Sequence, residues 1–223
     1  MLEKLFPYRF EIFFFSQIAI LFGSLVVPAL IFETYLSPVL FLINLFAGII
    51  LLSKQKKIMW FLVALLVNST ILLGSELIDT TNEKLVGPIK MLTYFLFYIV
   101  VTIEIIKQVW QANKVNKNVI FGLVSGYISL GLIGFFICLS IEIVYPNSFS
   151  GLIESISITE NLMYYSYITL LTIGYGDILP VSALAHKAAI LIGLMGQIYL
   201  VVITAIVVGK YINQLNNTDK TTN

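Results

Sequence analysis

Six long apolar runs divide this 223-residue chain, and a seventh stretch between the last two breaks the pattern. Hydrophobic residues make up 59% of the chain and charged residues 11%, against about a quarter charged in a soluble domain. A soluble fold of this size cannot hide so much apolar side chain, so lipid must cover much of it. The runs read as helices from Glu11 to Phe32, Leu36 to Leu52, Ile58 to Leu73, Ile89 to Ile106, Val119 to Val144 and Leu184 to Val208. Glu33 and Thr34 close the first helix. Pro38 falls in the first turn of the second, where a missing amide proton does no harm. The first run follows Lys4 and Arg9 and is too long for a typical secretory leader, so it reads as a retained membrane helix.

Charge placement supports the count. Ser53 to Lys57 is a basic turn, Gly74 to Gly87 a polar loop, Lys107 to Asn118 a basic connector, and Lys210 to Asn223 a polar tail. With six spans, Lys4, Arg9, Lys54, Lys56, Lys57, Lys107, Lys114, Lys117, Lys210 and Lys220 share one side. Only Lys84, Lys90 and Lys187 lie on the other. The positive-inside rule then makes this a multi-pass cell-membrane protein with both termini cytoplasmic. The expected organisation is an N-terminal four-helix membrane domain over 1–118, a second domain over 119–209 and a short cytoplasmic tail over 210–223.

Several functions are excluded early. A net charge of +1 gives no basis for nucleic-acid binding. One cysteine, Cys138, cannot form a disulfide within the chain, and the single His186 has no cluster of ligands with which to hold a metal. No serine, histidine and acid set stands at a common depth, so no enzyme activity and no cofactor are expected.

The interruption, Asn147 to Ala185, carries the chemistry. Non-helical backbone at membrane depth is tolerated only where protein buries it or it lines a watery cavity. Ser157-Ile158-Thr159-Glu160 has the form of a capping box, in which Ser157 caps the first amides and Glu160 reaches back. About three helical turns to Leu171 enter a membrane but do not cross it. The helix C-terminus then directs partial negative charge inward, toward a cation. Thr172-Ile173-Gly174-Tyr175-Gly176-Asp177 follows as an extended return. Gly174 and Gly176 admit unusual backbone angles, inward carbonyls can replace an ion's hydration shell, and Thr172 adds a hydroxyl. Ile173 and Tyr175 can point away and brace the segment against the short helix. A ring of such carbonyls needs several copies about one axis, hence a closed homo-oligomer.

Met163 to Asp177 resembles the pore region of the potassium-channel family, and the flanking helices resemble its outer and inner pore helices. The close match covers about 50 residues, from the pore helix to the end of the last span. The resemblance implies an all-α membrane protein with six transmembrane helices and a re-entrant pore helix and selectivity filter between helices 5 and 6. It implies a homotetramer passing potassium passively, with dehydrated K+ bound by carbonyls of Thr172, Ile173, Gly174 and Tyr175, and Gly176 completing the filter. In the family the aspartate after the filter pairs with an aromatic residue of the pore helix, which here implies Asp177 with Tyr165. Leu171 stands where a second threonine is frequent and Ile168 where some members carry a glutamate. Both changes bear on inactivation, and neither removes a filter ligand.

In the last helix Gly193 and Gly196 share a face. They can allow close packing or a bend, and the resemblance makes Gly196 a gate hinge. Thr204 and Val208 follow at two and three turns, as candidates to line the inner cavity or its constriction. The six-span layout is that of voltage-gated channels, yet Tyr94 to Ile106 holds no lysine or arginine, and its one charge is Glu104. Strong voltage gating is therefore not expected, and the short tail leaves ligand gating to an unidentified regulatory partner or to a site among the loops. Glu104 can pair with Lys107 or sit at the headgroups. Gln17, Asn44 and Asn68 read as inter-helix hydrogen-bonding groups, and Tyr8, Trp60, Tyr94, Tyr98, Trp110 and Tyr211 include interface anchors. A poorly selective cation channel is the alternative function. A secondary transporter is more remote, because it calls for paired interruptions in matching halves and one is visible.

Overall fold

The computed structural model describes residues 2–78, 83–112 and 114–222. Among them the chain is all-α apart from one antiparallel pair of two-residue strands. Six helical stretches are long and apolar enough to cross a membrane: Phe6–Leu25, Phe32–Leu51, Lys56–Gly74, Gly87–Gln111, Lys117–Val144 and Ala183–Gln214. The chain is a multi-pass membrane protein.

The helix ends differ from the hydropathy reading, most of all at the first junction. Helix α1 (Arg9–Phe22) closes in a 3-10 turn at Gly23–Leu25, well before Phe32. Pro28 explains the early stop, since it brings no amide proton to the ladder and disfavours helical angles at Val27. The chain restarts from it, with the Phe32 amide donating to the Pro28 carbonyl at 3.0 Å. Glu33 and Thr34 therefore sit inside a helical stretch, in a π turn over Phe32–Leu36 that leads into α2 (Ser37–Leu51). The wide turn precedes Pro38, whose ring crowds the carbonyl four residues back.

Helices α3 (Lys56–Ile78) and α4 (Glu83–Gln111) run into the stretch expected to be a polar loop, of which residues 79–82 lie outside the described residues. The connector expected from Lys107 shrinks likewise, because α4 continues to Gln111 and α5 (Lys117–Val144) begins at Lys117. Hydropathy marks where lipid ends; the hydrogen-bond ladder continues into polar residues, and α4 does so with Pro88 inside its first two turns. Beyond α5 come β1 (Phe149–Ser150), α6 (Ile158–Leu170), β2 (Leu179–Pro180) and α7 (Ala183–Ile198). A π turn at Tyr199–Ile203 joins α7 to α8 (Thr204–Thr222), so the polar tail continues as helix.

The chain forms two compact units, Met1–Val109 with Asn116–Ser125, and Trp110–Val115 with Gly126–Asn223. In the first, Gly48 admits the Phe97 ring, and Phe13 meets the same ring at 6.4 Å. Polar side chains stitch the helices: Asn44 Nδ2 donates to Ser16 Oγ and Tyr98 Oη to Asn44 Oδ1, both at 2.8 Å. Gln17 donates to the Ser125 carbonyl at 3.3 Å, and Asn68 to Thr93 Oγ1 at 2.8 Å. The three amides thus serve inter-helix bonding, as expected. Glu104 pairs with Lys107 at 2.7 Å and also accepts from Gln55 at 2.7 Å. Tyr94 and Tyr98 are buried and are not interface anchors, whereas Tyr8, Trp60, Trp110 and Tyr211 are exposed. Asn44→Ala removes two buried inter-helix bonds and is expected to cost about 1–3 kcal/mol. Tyr98→Phe should cost less, because it removes one bond and leaves Ser16 bound; thermal unfolding in detergent tests that order.

Candidate functional site

Helix α6 has 13 residues, too few to cross a membrane. Ser157 caps it as expected, its hydroxyl accepting from the Glu160 amide at 3.2 Å. Asn161, 4% exposed, ties the entry loop to this first turn. Its Nδ2 donates to the carbonyls of Ile153, Ile156 and Ser157, and its Oδ1 accepts from the Ile153 amide at 3.1 Å. Glycines of α5 bring α6 close. A side chain at Gly131 would run into the Tyr167 ring, and one at Gly134 would meet Ser166 Oγ at 2.5 Å. At these glycines Ser166 Oγ donates to the Gly131 carbonyl and Tyr167 Oη to the Ile128 carbonyl, each at 2.7 Å.

The C-terminus of α6 passes directly into the glycine-rich segment. The Ile173 amide donates to the Ile168 carbonyl at 2.9 Å and the Thr172 amide to the Thr169 carbonyl at 3.1 Å. These are the two bonds of a Schellman cap. The position that such a cap puts in the left-handed region usually holds glycine; here it is Thr172, with φ 57°. A β-branched residue there is strained by about 1–3 kcal/mol. Gly174 (φ 57°) and Gly176 (φ 81°) share the left-handed region, while Ile173 and Tyr175 between them do not. The expected extended return is thus a run of alternating hand.

This geometry sets the direction of the carbonyls. The amides of Thr172, Ile173 and Gly174 all turn back onto α6, the last at 3.4 Å from the Ile168 carbonyl. In a trans peptide the preceding carbonyl points the opposite way, so those of Leu171, Thr172 and Ile173 face away from α6. Among the described residues no donor reaches the carbonyls of Thr172, Ile173, Gly174 or Tyr175. Four successive backbone acceptors are left for an outside partner. Residues 171–177 are all exposed in the single chain, Tyr175 at 72%. Ile173 is about half exposed in the single chain and Tyr175 largely exposed.

Asp177 corrects one pairing. Its Oδ2 accepts from Tyr164 Oη at 2.6 Å, and Tyr165 is instead buried with its ring 5.1 Å from that of Phe149. Neighbouring residues on a helix point about 100° apart, so only one tyrosine can look outward. The Tyr164 hydrogen bond holds the Asp177 carboxyl below its usual range, and Asp177 pushes the Tyr164 hydroxyl up to about 12.

Glu142, which hydropathy leaves inside an apolar run, holds the turn that follows α5. It is 7% exposed; its Oε1 accepts from the Asn147 amide at 2.7 Å, and its Oε2 from the amides of Ser148 and Phe149 at 2.9 and 3.1 Å. The Ser148 carbonyl in turn accepts from the Val181 and Ser182 amides at 2.8 and 3.3 Å. Phe149 pairs with Pro180 and Ser150 with Leu179 in the two-strand sheet. Gly151, at φ 82°, lies so close to the Asp177 carbonyl that no side chain fits. The sequence signal was there: a carboxylate in an apolar run must find donors, and a Pro-Asn turn just beyond supplies free amides.

The last helix separates the two glycines. Gly196 is pressed against the Leu170 carbonyl, whereas a side chain at Gly193 would meet nothing within 4 Å. Close packing thus falls to Gly196, and the irregularity in this helix is the π turn at Tyr199–Ile203 rather than a break at either glycine. Thr204 begins α8, and Val208 on it is exposed. Among the described residues no group of three or more His, Cys, Asp or Glu could hold a metal.

Glu142→Ala is expected to cost about 2–4 kcal/mol in unfolding and to speed hydrogen exchange at Ser148 and Phe149. Glu142→Gln, which keeps one acceptor oxygen, should fall between the alanine variant and the parent. The Tyr164–Asp177 bond should be complete above the ordinary carboxylate range, fade as pH falls through the lowered Asp177 value, and persist upward until Tyr164 ionises near pH 12. Asp177→Asn should abolish the acid limb, as read by tyrosine fluorescence.

Residues 123–213 match a family model described as ion channel. Neither a curated protein nor a solved structure matches the chain significantly. The matched stretch runs from within α5 to within α8. It supports ion-channel function, a transport activity and not a catalytic one, carried by a multi-helix membrane protein.

Proposed function

We propose that the chain is one subunit of a potassium-selective channel that lets K+ pass down its gradient. The observation that carries this reading is the set of four successive unpaired carbonyls, Thr172 to Tyr175, at the negative end of a capped short helix. Carbonyl rings of that kind replace the hydration shell of a cation, and the alternating backbone hand lets successive carbonyls share a side. Helix α6 acts as a re-entrant pore helix and 172–176 as the filter. The Tyr164–Asp177 bond and the Glu142 turn hold the outer mouth. Thr204 and Val208 lie toward the inner cavity, Gly193 is free to bend, and Gly196 is a packing contact.

One chain supplies one wall. The exposed parts of Ile173 and Tyr175 and the unpaired carbonyls call for further copies about a common axis, and we assign a homotetramer with the filter on the outer side and both termini cytoplasmic. Without lysine or arginine between Tyr94 and Ile106, the fourth span carries no charge ladder for the membrane field to move. The opening signal then comes from elsewhere, including a regulatory partner.

In planar bilayers with potassium and sodium on opposite sides, the reversal potential should lie near the potassium value. A value near zero would indicate a poorly selective cation channel, and one near the sodium value would reject the reading. Gly174→Ala forces a side chain into left-handed backbone at about 1–2 kcal/mol and should lose potassium selectivity while the protein still assembles. Native mass spectrometry should find four copies of the 25.0 kDa chain.

A further inference from the structure

Helices α3 and α4 of the first unit frame an open groove of about 370 Å3, lined by Lys57, Ile58, Phe61, Val100, Ile103, Glu104 and Lys107. Its size falls within the ~300–1,000 Å3 of small-ligand sites. The two helices run antiparallel, held by the bond of Asn68 to Thr93 at one level and of Gln55 to Glu104 at another. Lys57 and Lys107 therefore stand at the same end. The walls leading away from them are apolar. Phe61 lies one turn in from Lys57, and Ile103 and Val100 lie one and two turns in from Lys107, a depth of about 10 Å. Phe61 and Ile103 remain 42% and 47% exposed.

The charges at the mouth are unevenly committed. Lys107 is bound by the buried Glu104 at 2.7 Å, and the same carboxylate is saturated further by Gln55. The Lys57 ammonium has no ion-pair or hydrogen-bond partner among the described residues. Lys56, beside it, is also exposed. The groove thus combines surplus positive charge at the end of two membrane spans with an apolar channel running toward the membrane centre. A free anion would satisfy the first feature and leave the second wet. A neutral lipid would fill the second and leave the first unpaired.

We propose that this groove is a binding site for an anionic membrane phospholipid, its phosphate at Lys57 and Lys107 and one acyl chain along Phe61, Val100 and Ile103. The assignment needs only membrane insertion and does not depend on which ion the protein conducts. It gives the first unit, which has no charge ladder, a chemical signal to which it can respond.

The test is native mass spectrometry of the full chain, titrated with phosphatidylglycerol or phosphatidylcholine of identical palmitoyl-oleoyl chains. The parent should retain phosphatidylglycerol at least fivefold better. Lys57→Gln, which leaves the Glu104 pair intact, should remove most of that preference, and Ile103→Trp should reduce binding of both lipids by filling the groove. Lys187→Gln, on the other unit, should behave as the parent. The proposal is overturned if the parent shows no preference, if Lys57→Gln keeps it, or if Ile103→Trp binds phosphatidylglycerol as the parent does. Inorganic phosphate competing away the lipid without any effect of Ile103→Trp would also overturn it, since the acyl chain would then contribute nothing. The potassium reading would stand or fall separately on the reversal potential.

Discussion

A backbone that leaves its helix inside an apolar protein must still pair its amides and carbonyls. The stretch from Pro146 to Ser182 is built around that requirement. Many of its amides are consumed locally: Glu142 takes three, the Ser148 carbonyl takes two, and the end of α6 takes those of Thr172, Ile173 and Gly174. Because the amides turn inward, the opposite faces of those peptides turn outward. The unpaired carbonyls of Thr172 and Ile173 are therefore the outward faces of peptides whose amides are already committed, and those of Gly174 and Tyr175 continue the row.

The glycines of the second unit serve two different ends. Gly131, Gly134 and Gly196 allow approach: the first two bring α5 against Tyr167 and Ser166, and the third brings α7 against the end of α6. Gly174 and Gly176 allow conformation, with open space around them and left-handed backbone. Thr172 takes the same conformation without the same freedom. Strain of this kind persists only where the surroundings over-determine it, and here the Schellman bonds on one side and the Gly174 amide on the other do so. A hydroxyl at the first position is retained where glycine would be easier, which accords with a ligand role for Thr172 under the proposed function.

The first unit follows a different logic. Three of its polar contacts, Asn44 with Ser16, Tyr98 with Asn44, and Asn68 with Thr93, are side chain to side chain between helices. In lipid such bonds contribute about 0.6–2 kcal/mol each, enough to fix helix register. Charge appears only at its ends, where Glu104 gathers Gln55 and Lys107.

The number of spans, the interrupted stretch and the Ser157 cap were legible from residue order, because each rests on local composition or on groups three residues apart. Helix ends were less so. Polar residues stop hydropathy without stopping a helix, and Pro28 counted for more than Glu33 and Thr34. The site was legible in its backbone-bearing residues, Thr172 to Asp177, and illegible in its side-chain supports. Whether Tyr164 or Tyr165 faces Asp177 depends on the rotation of α6 about its axis, which the Gly131 and Gly134 contacts with α5 set. Whether Gly193 or Gly196 packs depends on where the end of α6 meets α7. That Glu142 closes the Asn147–Phe149 turn depends on the turn folding back over its own helix end. Local chemistry determined what the elements are and which residues can leave a carbonyl unpaired; only packing between elements distant in sequence decided which neighbours hold them.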